Sequence, residues 1–245
     1  MKRMYADEGR ALTDMMRSVK ARGVTTSLDT ALPRPDGEHG GVNWRPILTK
    51  TLPSVDVFVP SYEECLFMLD RDTYLDEFQR AAGRDMLETI TEERVRALAD
   101  TFLSMGVGVV LLKLGSRGLY LRTAGAARLK QAGQALSPLS EMWADQELWI
   151  FPNAVEHIVS TTGAGDTAIA GFLAAMLRGE KPERALEIAA TTAWLCIRSP
   201  DTSGLIQSYG QVSTLASAAS RTKPLELSPA RWSPTGIDGL YRRKH

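Results

Sequence analysis

Residues 160–177 read STTGAGDTAIAGFLAAML, and the first seven letters decide what the chain around them has to be. Gly163 and Gly165 bracket one alanine, Asp166 follows, and a run of small and apolar residues begins at once. That run has the composition of a buried helix, so the glycines mark a bend delivering the chain into a helix N-terminus. A helix start leaves backbone N–H groups without partners and carries a partial positive charge, which suits it to an anion. The amides of Ala164, Gly165 and Asp166 are therefore expected to converge on one oxygen-rich group. Asp166 is the odd member, because a carboxylate repels an anion unless it has a task there. Either it caps the helix, the commoner use of Asp, or it accepts a proton from a hydroxyl attacking a bound phosphoryl group. Gly163, Gly165 and Ala168 also fit the dinucleotide fingerprint G-x-G-x-x-A. That fingerprint needs a following strand with an acidic residue about 20 positions on. Residues 178–195, RGEKPERALEIAATTAWL, read instead as another helix, so the context excludes it.

Working outward, strands alternate with helices. Leu12, Met15, Met16 and Val19 have amphipathic helical spacing over residues 7–22, closed by Gly23. VTTSLD, ending at Asp29, reads as a strand, and a Pro- and Gly-rich loop covers 32–41. A helix over 44–52 leads to the strand 55–59, which Pro60 stops. Ser61 is placed to cap a helix running to Leu69. Residues 73–90 have helical period, and Thr91 starts a further helix through Met105. GVGVVLLKLG, ending at Gly115, is continuously apolar, the pattern of a parallel strand buried on both faces. SRG turns into GLYLRT as a hairpin partner, and 124–147 reads as a weakly patterned insertion. LWIF and AVEHIV are two more strands, ending at Val159. Helices are expected over 166–178, 182–197 and 208–220, with a loosely packed, Pro- and Ser-rich tail over 222–245. This alternation predicts a mainly parallel sheet flanked by helices.

Composition narrows the function classes. The 245 residues are 44% hydrophobic and 24% charged, and 29 basic side chains balance 29 acidic ones. A chain of zero formal net charge lacks the basic field that nucleic-acid or anionic-membrane binding draws on. The basic run Arg242, Arg243, Lys244 and His245 reads as a solvated end. Cys65 and Cys196, each in an apolar helical segment, are expected as buried free thiols. The longest apolar stretch, 168–177, is too short to span a bilayer. MKRMYADEGR has no apolar core of the signal-peptide kind, and a cytoplasmic protein is expected.

Taken together, these motifs resemble the ribokinase (phosphofructokinase-B) family, whose late signature is close to D-T-x-G-A-G-D before a helix of small residues. Thr161, Thr162, Gly163, Ala164, Gly165 and Asp166 match it, while Ser160 stands where the family has Asp. The resemblance implies a ribokinase-like three-layer α/β/α fold with a mainly parallel central sheet. It implies ATP-dependent phosphoryl transfer to a hydroxyl of a sugar or sugar-like substrate, with Asp166 as base and the Gly163-Ala164-Gly165 amides as anion hole. VDVFVPSYEE is similar to the family's strand followed by N-x-x-E. Glu64 falls on the Glu, implied to organise Mg²⁺ through water, and Ser61 replaces the Asn. Taken alone, Glu64 reads equally as a solvated acid in a first helical turn. Lys113, Gly115, Ser116, Arg117 and Gly118 look like the family's turn beside the nucleotide phosphates, with Arg117 placed to neutralise charge. A bare hairpin turn explains the same letters. DTSG, residues 201–204, with Gly204 at its end, falls where the family encloses adenine and often a monovalent cation.

The resemblance also implies an absence. Relatives carry a first third with lid strands and most sugar contacts, and this chain begins at the helix before Asp29. Residues 1–221 are thus expected to form a partial kinase domain, with lid and first strands missing. Asp29 resembles the Asp of a D-x-N-x-R element, with Ala31 and Pro33 in place of its Asn and Arg. The alternatives are an inactive or regulatory nucleotide- or sugar-binding remnant, or a scaffold that keeps only the fold. Expected partners are ATP, Mg²⁺ and a small sugar-like acceptor, and a homodimer is left open. Trp143 and Trp149 are candidates to border the acceptor pocket, with plain packing as the other account.

Overall fold

The computed structural model describes residues 2–244. The chain gathers into two compact units: the first runs to Leu112 and resumes over Arg122–Asp145, and the second takes Lys113–Leu121 and everything from Gln146 on.

In the first unit, helix and strand alternate as α1 (Arg10–Lys20), β1 (Ser27–Leu28), α2 (Trp44–Thr51), β2 (Val57–Phe58), α3 (Tyr62–Leu69), α4 (Arg71–Ala81), α5 (Glu92–Ser104) and β3 (Val109–Lys113). β1, β2 and β3 run parallel, with Ser27 opposite Val57 and Val57 opposite Val109. Val57, Phe58 and Val109 through Leu112 are all fully buried, which is why these strands read as unbroken apolar runs. Caps set the helix starts. The Ser61 hydroxyl accepts the Glu64 N–H while the Glu64 carboxylate accepts the Ser61 N–H, a reciprocal pair that fixes the entry to α3. Thr91 caps α5 through the Arg94 N–H.

The helical pattern over 73–90 does not stay helical. α4 stops at Ala81, where Ala82 (φ 50°) and Gly83 (φ 86°) both turn left-handed. A short 3₁₀ turn, Met86–Thr89, follows under an Asp85 cap. The weakly patterned stretch after residue 124 forms three single-turn helices, α6 (Ala126–Leu129), α7 (Gly133–Leu136) and α8 (Ser140–Trp143). They are anchored by Leu129, Leu136 and Trp143, each fully buried. Below them lies a buried charge cluster. The Asp56 carboxylate, with no solvent exposure, accepts from Lys20, from Arg128 Nη1 (3.0 Å), and from the N–H and hydroxyl of Thr26 (3.0 and 3.2 Å).

The second unit receives the chain through β4 (Leu119–Thr123) and continues as β5 (Glu147–Ile150), α9 (Ala164–Leu177), α10 (Pro182–Ile197), α11 (Tyr209–Ala218), β6 (Trp232–Pro234) and β7 (Leu240–Arg243). The last two strands correct the expectation of a loose tail. β7 pairs antiparallel with β5 (Trp149 opposite Tyr241) and β6 pairs with β7. Trp232 (3% exposed) packs edge-on against Trp149 and Tyr120, and Leu240 is fully buried. The same pairing explains a second correction. AVEHIV does not form a strand, because β7 occupies the ladder of β5. Residues 154–159 run as open chain, with Ile158 and Val159 more than half exposed. Cys65 and Cys196 are free and buried, as expected. Among the described residues no helix is long and apolar enough to cross a membrane.

Candidate functional site

The glycine bend enters α9 as its sequence requires. Gly163 is the cap, in the left-handed region at φ 80°, and a Cβ there would overlap the Thr202 Cγ2. Just before the bend, the Ser160 hydroxyl accepts the Thr162 N–H at 3.2 Å. A serine thus fills the turn-forming role open to the Asp it replaces. Cys196, from α10, donates its thiol to the Thr162 carbonyl at 3.4 Å.

Not all the expected amides are available. The Ala164 N–H is taken by the Thr161 carbonyl at 3.2 Å. Those of Gly165 and Asp166 have no protein acceptor among the described residues, which leaves a two-amide cradle at the first turn. Asp166 caps nothing. It sits three residues past the cap and is exposed, and no side-chain hydrogen bond caps α9. Capping, the commoner use of Asp, is therefore not its task here.

Lys113, the last residue of β3, comes to this cradle. A Cβ placed on Gly165 would lie 3.4 Å from the Lys113 Cδ and 3.6 Å from its Nζ, so the ammonium lies over the first turn of α9. Arg117 lies in the turn that follows β3. Its guanidinium donates to the Pro224 carbonyl, and its own carbonyl accepts from the Trp149 indole N–H at 2.9 Å. The C-terminal segment thus holds one edge of the Arg117 guanidinium. Gly115 (φ 48°) opens the turn Gly115–Arg117 and Ser116 is exposed on it. At Gly118 (φ 89°) a side chain would run into the Ile150 carbonyl, so that glycine is needed for close backbone approach.

The DTSG turn reaches the bend through Thr202, a contact that the sequence did not single out. Asp201 accepts from the Ser199 hydroxyl (2.6 Å) and the Gly204 N–H (2.8 Å), and these bonds hold its carboxyl below the usual range. A Cβ on Gly204 would overlap that carboxylate, so Gly204 serves the turn itself.

Glu64 belongs to the first unit and is 8% exposed, not solvated. Its Oε2 accepts from the Thr30 hydroxyl (2.7 Å) and the Ser61 N–H (2.9 Å), while Oε1 makes no hydrogen bond among the described residues. Among those residues no three His, Cys, Asp or Glu side chains gather to hold a metal ion. A single carboxylate suits Mg²⁺, which keeps much of its water and takes phosphate oxygens, better than it suits an all-protein cage. The acceptorless amides and the nearby ammonium likewise fit a phosphate group. Also in the first unit, Asp29 lines a cavity of about 650 Å³ with Leu28, Trp44, Ile47 and Leu48. Trp143 and Trp149 are fully buried, so both are packing residues.

Comparison with known proteins identifies the family and the fold. The model of the pfkB family carbohydrate kinases matches residues 6–208. A ribokinase of Arabidopsis thaliana is 30% identical over 182 residues, covering 74% of this chain and 36% of that protein. The solved structure of Arabidopsis thaliana ribokinase complexed with ribose and ATP superposes with a TM-score of 0.55 at 26% identity, covering 84% of this chain and 52% of that one. Aminoimidazole riboside kinase from Salmonella enterica, complexed with aminoimidazole riboside and an ATP analog, shares the fold at TM-score 0.56 and 16% identity, covering 87% of this chain and 60% of that one. The chain thus spans about a third of the first relative's length and about half of the solved ribokinase.

Proposed function

The chain belongs to the pfkB family of carbohydrate kinases, and we propose that it transfers a phosphoryl group from ATP to a hydroxyl of a sugar or sugar-like acceptor. The observation that carries this is Asp166: an exposed carboxylate with no capping task, directly following an amide that has no acceptor. ATP with Mg²⁺, when bound, supplies the phosphoryl group and part of the charge neutralisation. The chain's own residues do the rest. Asp166 takes the proton of the acceptor hydroxyl. The Gly165 and Asp166 amides donate to the oxygens of the group in transfer. The Gly115–Gly118 turn and Lys113 serve the phosphate chain, Glu64 is the candidate carboxylate for a water-held Mg²⁺, and the DTSG turn is proposed at the nucleoside end. Phosphoryl transfer depends on positioning and charge stabilisation more than on covalent help, which this inventory supplies.

The test is Asp166→Asn. Because the side chain caps nothing, folding and nucleotide binding are expected to stay at parental levels. Turnover with a panel of sugars is expected to fall by roughly 10²–10⁴. Near-parental turnover in the variant rules out the assigned base. Nucleotide binding by the parent without turnover on any sugar favours the inactive, regulatory alternative.

A further inference from the structure

We infer that residues 222–231 are a strap that fixes the Gly115–Arg117 turn from outside and so sets how tightly a nucleoside triphosphate is held there; the affinity half of this rests on the function proposed above. The turn has little to hold it by itself. Its own closure is by backbone bonds: Arg117 N–H to the Leu114 carbonyl (2.8 Å), Gly118 N–H to that of Gly115 (3.1 Å) and Leu114 N–H to that of Gly118 (2.8 Å). Left-handed glycines stand at both ends, Gly115 at φ 48° and Gly118 at φ 89°, and glycine loses the most conformational freedom on ordering. Two outside groups add to that closure. The Trp149 indole donates to the Arg117 carbonyl at 2.9 Å, and the Arg117 guanidinium donates to the Pro224 carbonyl. The first comes from β5 and the second from the strap.

Both ends of the strap are pinned. At the near end Arg221 is 7% exposed, bridges to Asn153, and ties Asp238 through its N–H (2.8 Å) and its Nη1 (2.9 Å). At the far end Trp232 is 3% exposed and stands edge-on to Trp149, the same indole that holds the turn. Between these anchors the chain forms neither helix nor strand, and Thr222, Lys223, Glu226, Pro229 and Ala230 are exposed. Arg221, Trp232 and everything between them lie beyond residues 6–208, so the device is built outside the matched family core. A turn ordered before its ligand arrives spares the ligand the cost of ordering it, and observed affinity falls with the fraction of molecules in the competent form. Linkage makes the coupling reciprocal: a nucleotide that favours the ordered turn also favours the seated strap.

Inserting two glycines between Lys223 and Pro224 slackens the strap and leaves both anchors in place. Lengthening an exposed loop by two residues costs little closure entropy, so the urea midpoint is expected to stay at the parental value. Hydrogen exchange at the Arg117 and Gly118 amides is expected to rise about tenfold or more, while Val110 and Leu111 of β3 stay protected. Mg·ATP should bind about three- to tenfold more weakly, with the sugar KM unchanged. In the parent, Mg·ATP should slow exchange at the Trp232 amide, which donates to the Ser228 carbonyl at 2.9 Å, and the insertion should abolish that effect. Trp232→Leu loosens the far anchor instead and should speed the same two turn amides. Unchanged exchange at the turn in both variants overturns the strap. Faster exchange with unaltered Mg·ATP affinity overturns its hold on the nucleotide. A parent chain that binds no nucleotide sinks the proposed function, and exchange at the turn then judges the strap alone.

Discussion

Gly163 and Gly165 look alike in the sequence, yet the structure gives them opposite sensitivities to one added methyl group. At Gly163 the backbone is left-handed, and a Cβ would overlap the Thr202 Cγ2. Holding alanine in that conformation costs about 1–2 kcal/mol, and the overlap adds whatever is needed to push the exposed Thr202 loop aside. Gly165 lies inside α9 with ordinary helical backbone, and its added Cβ would meet only the Lys113 side chain, at 3.4–3.8 Å. There alanine is expected to gain about 0.5–1 kcal/mol, from a smaller loss of backbone freedom on folding. The two variants should therefore differ by roughly 1.5–3 kcal/mol, with Gly163→Ala below the parent and Gly165→Ala at or above it. Equilibrium urea unfolding reads this as a shift of midpoint at constant slope. Adding Thr202→Ser to Gly163→Ala removes the offending methyl and should recover only the overlap, not the backbone cost. In nucleotide titrations Gly165→Ala should still lose affinity, because its methyl narrows the approach to the cradle without harming the fold. Equal stability losses at the two glycines, or a neutral Gly163→Ala, would refute the left-handed bend from which the cradle is built.

Two further expectations concern the first unit. Asp56→Ala leaves Lys20 and Arg128 partly buried without their shared carboxylate, and should cost about 3–5 kcal/mol in urea unfolding; a loss below 1 kcal/mol would show that the two cations reach solvent freely. Burial, with Asp85 and Glu64 nearby, raises the Glu63 carboxyl above its ordinary value of 4.5. The folded state therefore holds that proton more tightly than the unfolded one. The associated stability is complete below pH 4.5 and disappears as pH rises through the raised value. Glu63→Gln should match the parent in acid and exceed it at neutral pH, and a variant that is no more stable at pH 7 would contradict the burial.

Much of the fold was legible because its signals are local. The apolar run through Val109 to Leu112, the Ser61–Glu64 capping pair and the Thr91 cap each write an element into a few adjacent letters. The C-terminal hairpin was not legible. Its inward positions, Trp232 and Leu240, are isolated among Pro, Ser and Arg, and its strands exist because β5 offers them a ladder. AVEHIV misled for the complementary reason: its β-branched residues suit a strand, but the place beside β5 is taken by β7. At the site, the glycine bend announced itself through residue types that only a bend needs. The sequence left two uses open for Asp166, and the observed cap at Gly163, three residues earlier, removed one of them. The directions of the two long cations could not be read, because rotamers answer to distant partners: Pro224 holds Arg117, and Gly165 makes room for Lys113. Thr202 was hidden likewise, its relevance resting on a methyl group seated on a residue 39 positions away.

The indole of Trp149 is hydrogen-bonded to the carbonyl of Arg117, and its ring stands edge-on to Trp232 on the terminal hairpin, 6.1 Å between centroids. That indole is wired at one end to the Gly115–Arg117 turn and at the other to the last strands of the chain. Its share of the emission, read among five tryptophans as the difference from Trp149→Phe, therefore gauges both: a ligand settling on the turn, or the hairpin lifting from its seat, changes the polarity around that ring, and neither event needs a dye to be seen.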